Sequence, residues 1–164
     1  MQRVGLVGWR GMVGSVLMDR MLQENDFSHF EPVFFSTSNA GGAAPTFMGK
    51  VSSDGVLHDG NSVEALKTCD VIVSCQGGDY TTQVFGPLRA AGWNGFWIDA
   101  ASTLRMEKDA IIVLDPVNMD VIKDGLTNGV KNYVGGNCTV SLMMMALDGL
   151  FKGNAFEWMK LMTY

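Results

Sequence analysis

The feature that most constrains this chain is a glycine turn that starts at its eighth residue. Residues 3–8 (RVGLVG) form a short apolar run, and Gly8-Trp9-Arg10-Gly11-Met12-Val13-Gly14 follows from its last glycine. Val13, Val16, Leu17, Met21 and Leu22 then recur at helical spacing to about Glu24. A buried strand, a turn with glycines at its first, fourth and seventh positions, and an amphipathic helix make a G-x-x-G-x-x-G variant of the dinucleotide fingerprint. The turn must be tight, its backbone must approach a pyrophosphate, and the helix must sit close to the sheet. The helix N-terminus then offers free N–H groups and partial positive charge to the phosphates. The competing reading is a purely structural strand–helix turn.

The alternation continues along the chain. Strands are expected at 33–36 (VFFS), 70–75 (DVIVSC), 96–99 (FWID), 111–114 (IIVL) and briefly at Tyr133-Val134. Helices are expected at 62–67, at 80–92 ending on Gly92, at 117–124 after an Asp115-Pro116 turn, and at about 139–151. Residues 37–62 read as loop with one weak strand. This order implies an α/β fold: a Rossmann-like doubly wound, mostly parallel sheet with helices on both faces. The run 156–164 (FEWMKLMTY) reads as a strand beginning, so a longer protein is expected, with a short edge strand as the alternative.

Composition excludes several classes. The formal net charge of -5 lacks the basic footprint of a nucleic-acid binder. Three cysteines, an odd number without a C-x-x-C, argue against a disulfide framework or zinc site and for a reducing compartment. There is no signal-peptide pattern and no 18-residue apolar run, so no membrane span is expected and the cytoplasm is the expected location.

The second strand ends Phe34-Phe35-Ser36-Thr37-Ser38-Asn39 without the carboxylate that commonly accepts the ribose 2′-hydroxyl of NAD. Hydroxyls of Thr37 and Ser38 can bind a 2′-phosphate, and Arg10 can reach it as counter-charge. This favours NADP over NAD, against the alternative of a solvated Ser/Thr turn. Gln76, at the end of strand 70–75 and before Gly77-Gly78, is placed to touch the same cofactor. Cys69 and Cys75 read as buried small residues.

Gly135-Gly136-Asn137-Cys138-Thr139-Val140-Ser141 precedes an apolar helix and puts Cys138 at or beside its N-terminus. Free amides there favour a thiolate over a thiol, and with the Asn137 side chain they can hold an oxyanion. A buried cysteine opening a core helix is the competing reading. A nucleophilic thiol beside a nicotinamide suggests thiol addition to an aldehyde, hydride transfer and an acyl thioester, or the reverse reduction of an acyl phosphate. Arg105, in Asp99-Ala100-Ala101-Ser102-Thr103-Leu104-Arg105, is the candidate phosphate binder; an ordinary surface arginine is the alternative.

G-W-R-G-M-V-G at 8–14, C-Q-G-G-D-Y at 75–80 and G-G-N-C-T-V-S at 135–141 resemble aspartate-β-semialdehyde dehydrogenases of the Gram-negative bacterial type. F-F-S-T-S at 34–38, W-I-D-A-A-S-T-L-R-M at 97–106 and L-D-P-V-N at 114–118 support the resemblance. It implies reduction of aspartyl phosphate to the semialdehyde with NADPH, an early step toward lysine, threonine, methionine, isoleucine and diaminopimelate. Gly8, Arg10, Gly11, Met12, Val13, Thr37, Ser38 and Gln76 would bind NADP. Arg105 would bind phosphate, Asn137 would flank the site, and Cys138 would carry the thioester. Residues 1–137 would be the NADP-binding domain. Residues 138–164 would begin a second, α+β catalytic domain, mostly absent, which brings a histidine base, a carboxylate-binding arginine and much of a homodimer interface. The chain alone is then expected to turn over little. Another acyl-phosphate reductase and a non-catalytic nucleotide-binding module remain the rival readings.

Overall fold

The structure, a computed structural model, describes residues 1–47, 50–51 and 54–162. Its elements run β1 (Arg3–Val7), α1 (Met12–Gln23), β2 (Glu31–Ser36), β3 (Thr46–Phe47), β4 (Lys50–Val51), β5 (His58–Asp59), α2 (Val63–Leu66), β6 (Val71–Ser74), α3 (Gly78–Ala90), β7 (Phe96–Asp99), β8 (Ala110–Val113), α4 (Met119–Thr127), β9 (Asn132–Gly135) and α5 (Cys138–Lys152). Seven strands pair in the order β5-β2-β1-β6-β7-β9-β8, and every pairing among them is parallel. This is the expected doubly wound sheet. The β1–α1–β2 and β6–α3–β7 connections move in opposite directions along it, so right-handed crossovers place α1 and α3 on opposite faces.

The period-2 alternation of the strands divides the core accordingly. Val4, Leu6 and Phe34 pack with Met18 of α1 and Phe27. Val7, Val33, Phe35, Ile72 and Trp97 pack on the other face with Leu66 of α2 and Val84 and Leu88 of α3. Trp97 is fully buried and lies edge-on to Phe85 at 5.4 Å and to Trp93 at 6.4 Å between ring centres. Such a ring buries on the order of 200 Å² and anchors the α3 side.

Several boundaries differ from expectation. β2 starts at Glu31, because Arg3 and Val4 of β1 pair with Glu31 and Pro32. The 37–62 loop holds three two-residue strands where one was expected; residues 48, 49, 52 and 53 lie outside the described residues. The helix expected at 117–124 is Met119–Thr127, after a cis Asp115-Pro116 bond. The strand expected over 156–164 is irregular and exposed through residue 162, and residues 163–164 lie outside the described residues. An apolar run becomes a strand only when a neighbouring backbone pairs with it, and none does so here among the described residues. On α1, Val13 and Val16 are exposed although they belong to the apolar stripe. Between α1 and α4 the sheet face stays open as a groove of about 360 Å³ lined by Val71, Phe96, Ile98 and Val113.

The approach of α1 to β1 depends on a missing side chain. A Cβ on Gly14 would overlap the Gly8 carbonyl oxygen and come within 2.5 Å of Trp9 Cα. Gly14→Ala is expected to cost about 1–3 kcal/mol through this overpacking, read as a lower urea midpoint at unchanged m-value. An unaltered midpoint would show that α1 can shift at no cost.

Candidate active site

The glycine turn builds a cradle at the carboxyl ends of β1, β2 and β6. Gly8 has φ +73°, and a Cβ there would stand 2.5 Å from the backbone of Cys75 and Gln76. Only glycine meets both demands. Gly11 caps α1 in an extended conformation and no side chain caps the helix, so the first-turn amides have no side-chain acceptor. Gly11, at the start of the helix, lines a cavity of about 310 Å³ together with Gly8, Arg10, Thr37, Ser38 and Gln76. Six of the eight expected cofactor residues thus meet. The other two lie beside it: Met12 is exposed at the first helical position, and Val13 lines an adjoining apolar groove with Cys75 and Gly135.

Two residues that hold this cradle together had no role in the sequence reading. Trp9 donates from Nε1 to the Phe35 carbonyl at 3.1 Å and meets the Phe34 ring edge-on at 5.2 Å. The Arg10 guanidinium stands 5.2 Å over the Trp9 ring and donates from Nη2 to Ser36 Oγ at 2.9 Å. The same buried Ser36 oxygen accepts from Asn39 N at 2.9 Å and Ser38 N at 3.3 Å. Ser36 is therefore the hub of the turn. A hydroxyl at a strand end before a polar stretch is the local signal that could have found it. Across the cavity Gln76 Nε2 donates to Thr37 Oγ1 at 3.5 Å.

The thiol end forms on the β9–α5 junction. Cys138 is the first residue of α5 and is exposed. Asn137 is its N-cap and accepts from Val140 N at 3.1 Å through Oδ1. The cap uses the Asn137 oxygen and the Val140 amide, and leaves Asn137 Nδ2 and the Cys138 and Thr139 amides as donors for a ligand. Arg105 donates from Nε to the Gly135 carbonyl at 2.7 Å and from Nη2 to the Gly136 carbonyl at 3.2 Å. It stands beside the turn that leads to Cys138 and is not a free surface side chain.

Asp99, the last residue of β7, was expected to close the strand 96–99 but was given no role of its own. It is almost fully buried and accepts from Thr81 Oγ1 at 2.6 Å, Trp97 Nε1 at 3.1 Å and Ala101 N at 2.8 Å. Both carboxylate oxygens are thereby satisfied, as burial requires. The signal was an acid closing an otherwise apolar strand.

The three thiols differ. Burial pushes Cys69 up from 9.0 to about 11. Cys75 is half-buried rather than buried, and desolvation followed by the charge of Asp99 raises it too. Neither histidine accompanies Cys138. His58 lies on β5, five strand intervals or roughly 24 Å from β9, where Asp54 contacts it at 2.8 Å. His29 is exposed ahead of β2, at the opposite end of the strands.

Residues 3–125 match the family described as "Semialdehyde dehydrogenase, NAD binding domain". The chain belongs to this family. A solved structure of aspartate semialdehyde dehydrogenase from Francisella tularensis is 52% identical over 94% of the chain, with a TM-score of 0.88. Two more distant structures share the fold. Aspartate semialdehyde dehydrogenase II of Vibrio cholerae, complexed with ASA, is 22% identical over 93% of the chain with a TM-score of 0.72. The Candida albicans enzyme with NADP is 18% identical over 93% of the chain with a TM-score of 0.59. The chain spans 42% of the Francisella chain and 47% of each of the other two. The family domain covers the glycine turn, Ser36, Gln76 and Arg105; Cys138 lies beyond it. Among the described residues no helix is long and apolar enough to cross a membrane, and no cluster of metal ligands occurs.

Two expectations follow from the thiols. With iodoacetamide at neutral pH, Cys138 should be labelled first and Cys69 last, read by peptide mass spectrometry; preferential labelling of Cys75 would contradict the burial argument. Cys69 also links stability to alkaline pH. Its folded value is raised, so its contribution is whole below pH 9.0 and is lost as pH climbs toward about 11, where the folded thiol finally ionises. Unfolding curves of Cys69→Ala should lose less stability over that window than those of the parent chain.

Proposed function

We propose that this chain is the NADP-binding and nucleophile-bearing part of an aspartate-β-semialdehyde dehydrogenase. The reaction is reductive dephosphorylation of L-aspartyl 4-phosphate to L-aspartate 4-semialdehyde. The observation that carries the reading is one sheet edge bearing both an uncapped helix N-terminus beside a cationic pocket and an exposed cysteine on a second helix N-terminus. The 52% identity to the Francisella enzyme supports it.

The pocket fits a phosphorylated dinucleotide. Uncapped amides of α1 suit the pyrophosphate. Arg10, Ser36, Thr37 and Ser38 suit a 2′-phosphate, with no carboxylate among the residues lining the cavity to repel it. When bound, the nicotinamide supplies or accepts the hydride. The protein's own part starts at Cys138. Its sulfur attacks the acyl phosphate carbon, the C–O bond to phosphate breaks, and an acyl thioester remains on Cys138. The Cys138 and Thr139 amides, with Asn137 Nδ2, hold the oxyanion as it forms. Arg105 meets the departing phosphate. After hydride delivery to the thioester carbon, the sulfur leaves as thiolate and the aldehyde is released.

In this reading residues 1–137 are the cofactor domain, and Cys138 opens the catalytic domain of a soluble, cytoplasmic homodimeric enzyme. The base comes from outside the described residues, since His29 and His58 are remote. The 164-residue chain alone should therefore reduce aspartyl phosphate little or not at all, and robust NADPH-dependent turnover would refute that part.

Cofactor choice is tested by calorimetric titration of the same chain. NADP should bind more tightly than NAD. Arg10→Ala should lower NADP affinity about tenfold, the worth of one charge-assisted phosphate contact of roughly 1.5 kcal/mol, and leave NAD nearly unchanged. Equal affinities in the parent chain would overturn the NADP assignment.

A further inference from the structure

The two glycines before Cys138 give the chain its greatest backbone freedom at the point where the nucleophile must be held. Asn137 fixes the helix that follows, through Val140 N. What fixes the turn ahead of it is Arg105, whose fork takes two successive carbonyls, Gly135 O at 2.7 Å and Gly136 O at 3.2 Å. A planar guanidinium that bonds two acceptors at once sets both position and orientation. Among the described residues no carboxylate pairs with Arg105 within 4.0 Å, and Nη1 makes no hydrogen bond.

The other side of the latch is anchored in the core. Ala100 N donates to Ser74 O at 3.0 Å and Ala101 N donates to Asp99 at 2.8 Å. Thr103 Oγ1 donates to the Gly78 carbonyl at 3.2 Å, and Leu104 is buried. Asp99 is in turn held by Thr81 and Trp97, so the loop that carries Arg105 rests on a fully buried tryptophan.

We infer that Arg105 is a positioning residue for Cys138: its Nε and Nη2 lock the Gly135-Gly136 turn and so set where α5 begins, while Nη1 stays available to an anionic group. The consequence for reactivity rests on Cys138 being the nucleophile; the latch itself does not. A lysine at 105 keeps the positive charge but carries its three N–H donors on a single rotating nitrogen, which cannot hold two carbonyls in a fixed plane.

The test uses the 164-residue chain and its Arg105→Lys and Arg105→Met variants, with two readouts. One is backbone hydrogen exchange over residues 135–141. The other is the pH profile of iodoacetamide alkylation at Cys138, with Cys75 as internal reference. Both variants should exchange faster over 135–141 than the parent chain. Both should also alkylate Cys138 about tenfold more slowly, the scale of a modest misplacement, with Cys75 unchanged. If Arg105→Lys matches the parent in both readouts while Arg105→Met does not, Arg105 acts by charge alone and the positioning role is overturned. If neither variant changes exchange over 135–141, the latch is overturned. Should the parent chain alkylate Cys138 no faster than Cys75, the nucleophile reading fails, and hydrogen exchange alone then decides the latch.

Discussion

The contact of Gly14 with the Gly8 carbonyl sets how near α1 lies to the sheet, and the geometry of the whole cofactor edge follows from it. With no side chain in the gap, the first turn of the helix settles directly on the turn that precedes it. Gly8 then presses against the backbone of Cys75 and Gln76, which ties the end of β1 to the end of β6. Trp9 reaches the other way and bonds the Phe35 carbonyl, which ties β1 to β2. One heptapeptide thus places three strand ends, and the cavity between them is what remains once those distances are set. A larger residue at either glycine would move the helix amides and the Trp9 anchor together.

The thiol edge is organised by a different device. There a buried polar chain runs outward from the core: Trp97 to Asp99, Asp99 to the 100–105 loop, and Arg105 to the diglycine. The helix caps follow the same division. α1 starts on a glycine with no side-chain cap, whereas α5 starts on Asn137, which takes the amide of Val140. An uncapped N-terminus leaves its donors to a ligand. A capped one gives up a donor and gains a defined starting point. In the proposed reading, a diffuse pyrophosphate tolerates the first arrangement, while a single reacting sulfur benefits from the second.

The sheet was legible because a parallel strand reads as a near-continuous apolar run bounded by glycine or polar residues, and β1, β6 and β7 all do so, although one face of β7 stays open at Ile98. The glycine turn was legible because its spacing meets a steric demand. The capping role of Asn137 was half legible: its type and position mark an N-cap, but which of its atoms stays free depends on the rotamer. The 156–164 run misled because apolar alternation records a capacity to pair, not a partner. Ser36 and Asp99 carried only a local hint, a hydroxyl or an acid closing an apolar strand, and the grip of Arg105 carried none. Their partners Arg10, Thr81 and Gly135 lie at least 18 positions away, where no local pattern reaches. The exposure of Val13 and Val16 was equally hidden, since periodicity gives a face to a helix but not the neighbour that covers it.

The neutrality of Ser36 has a consequence for the charge of the pocket. An aspartate there could accept the same amides of Ser38 and Asn39, and would pair with Arg10 more strongly than a hydroxyl does. The turn would lose nothing in hydrogen bonds, but the pocket would lose its net positive charge, because the guanidinium would be neutralised from within. With serine the turn is ordered by an oxygen that carries no charge, and Arg10 is oriented by the same atom and by the Trp9 ring while keeping its charge for whatever enters. In the proposed reading that occupant is a 2′-phosphate, which carries close to two negative charges and would be repelled by a carboxylate in the hub. Serine at this one position therefore separates two tasks that an acid would merge: shaping the turn, and choosing the sign of the ligand.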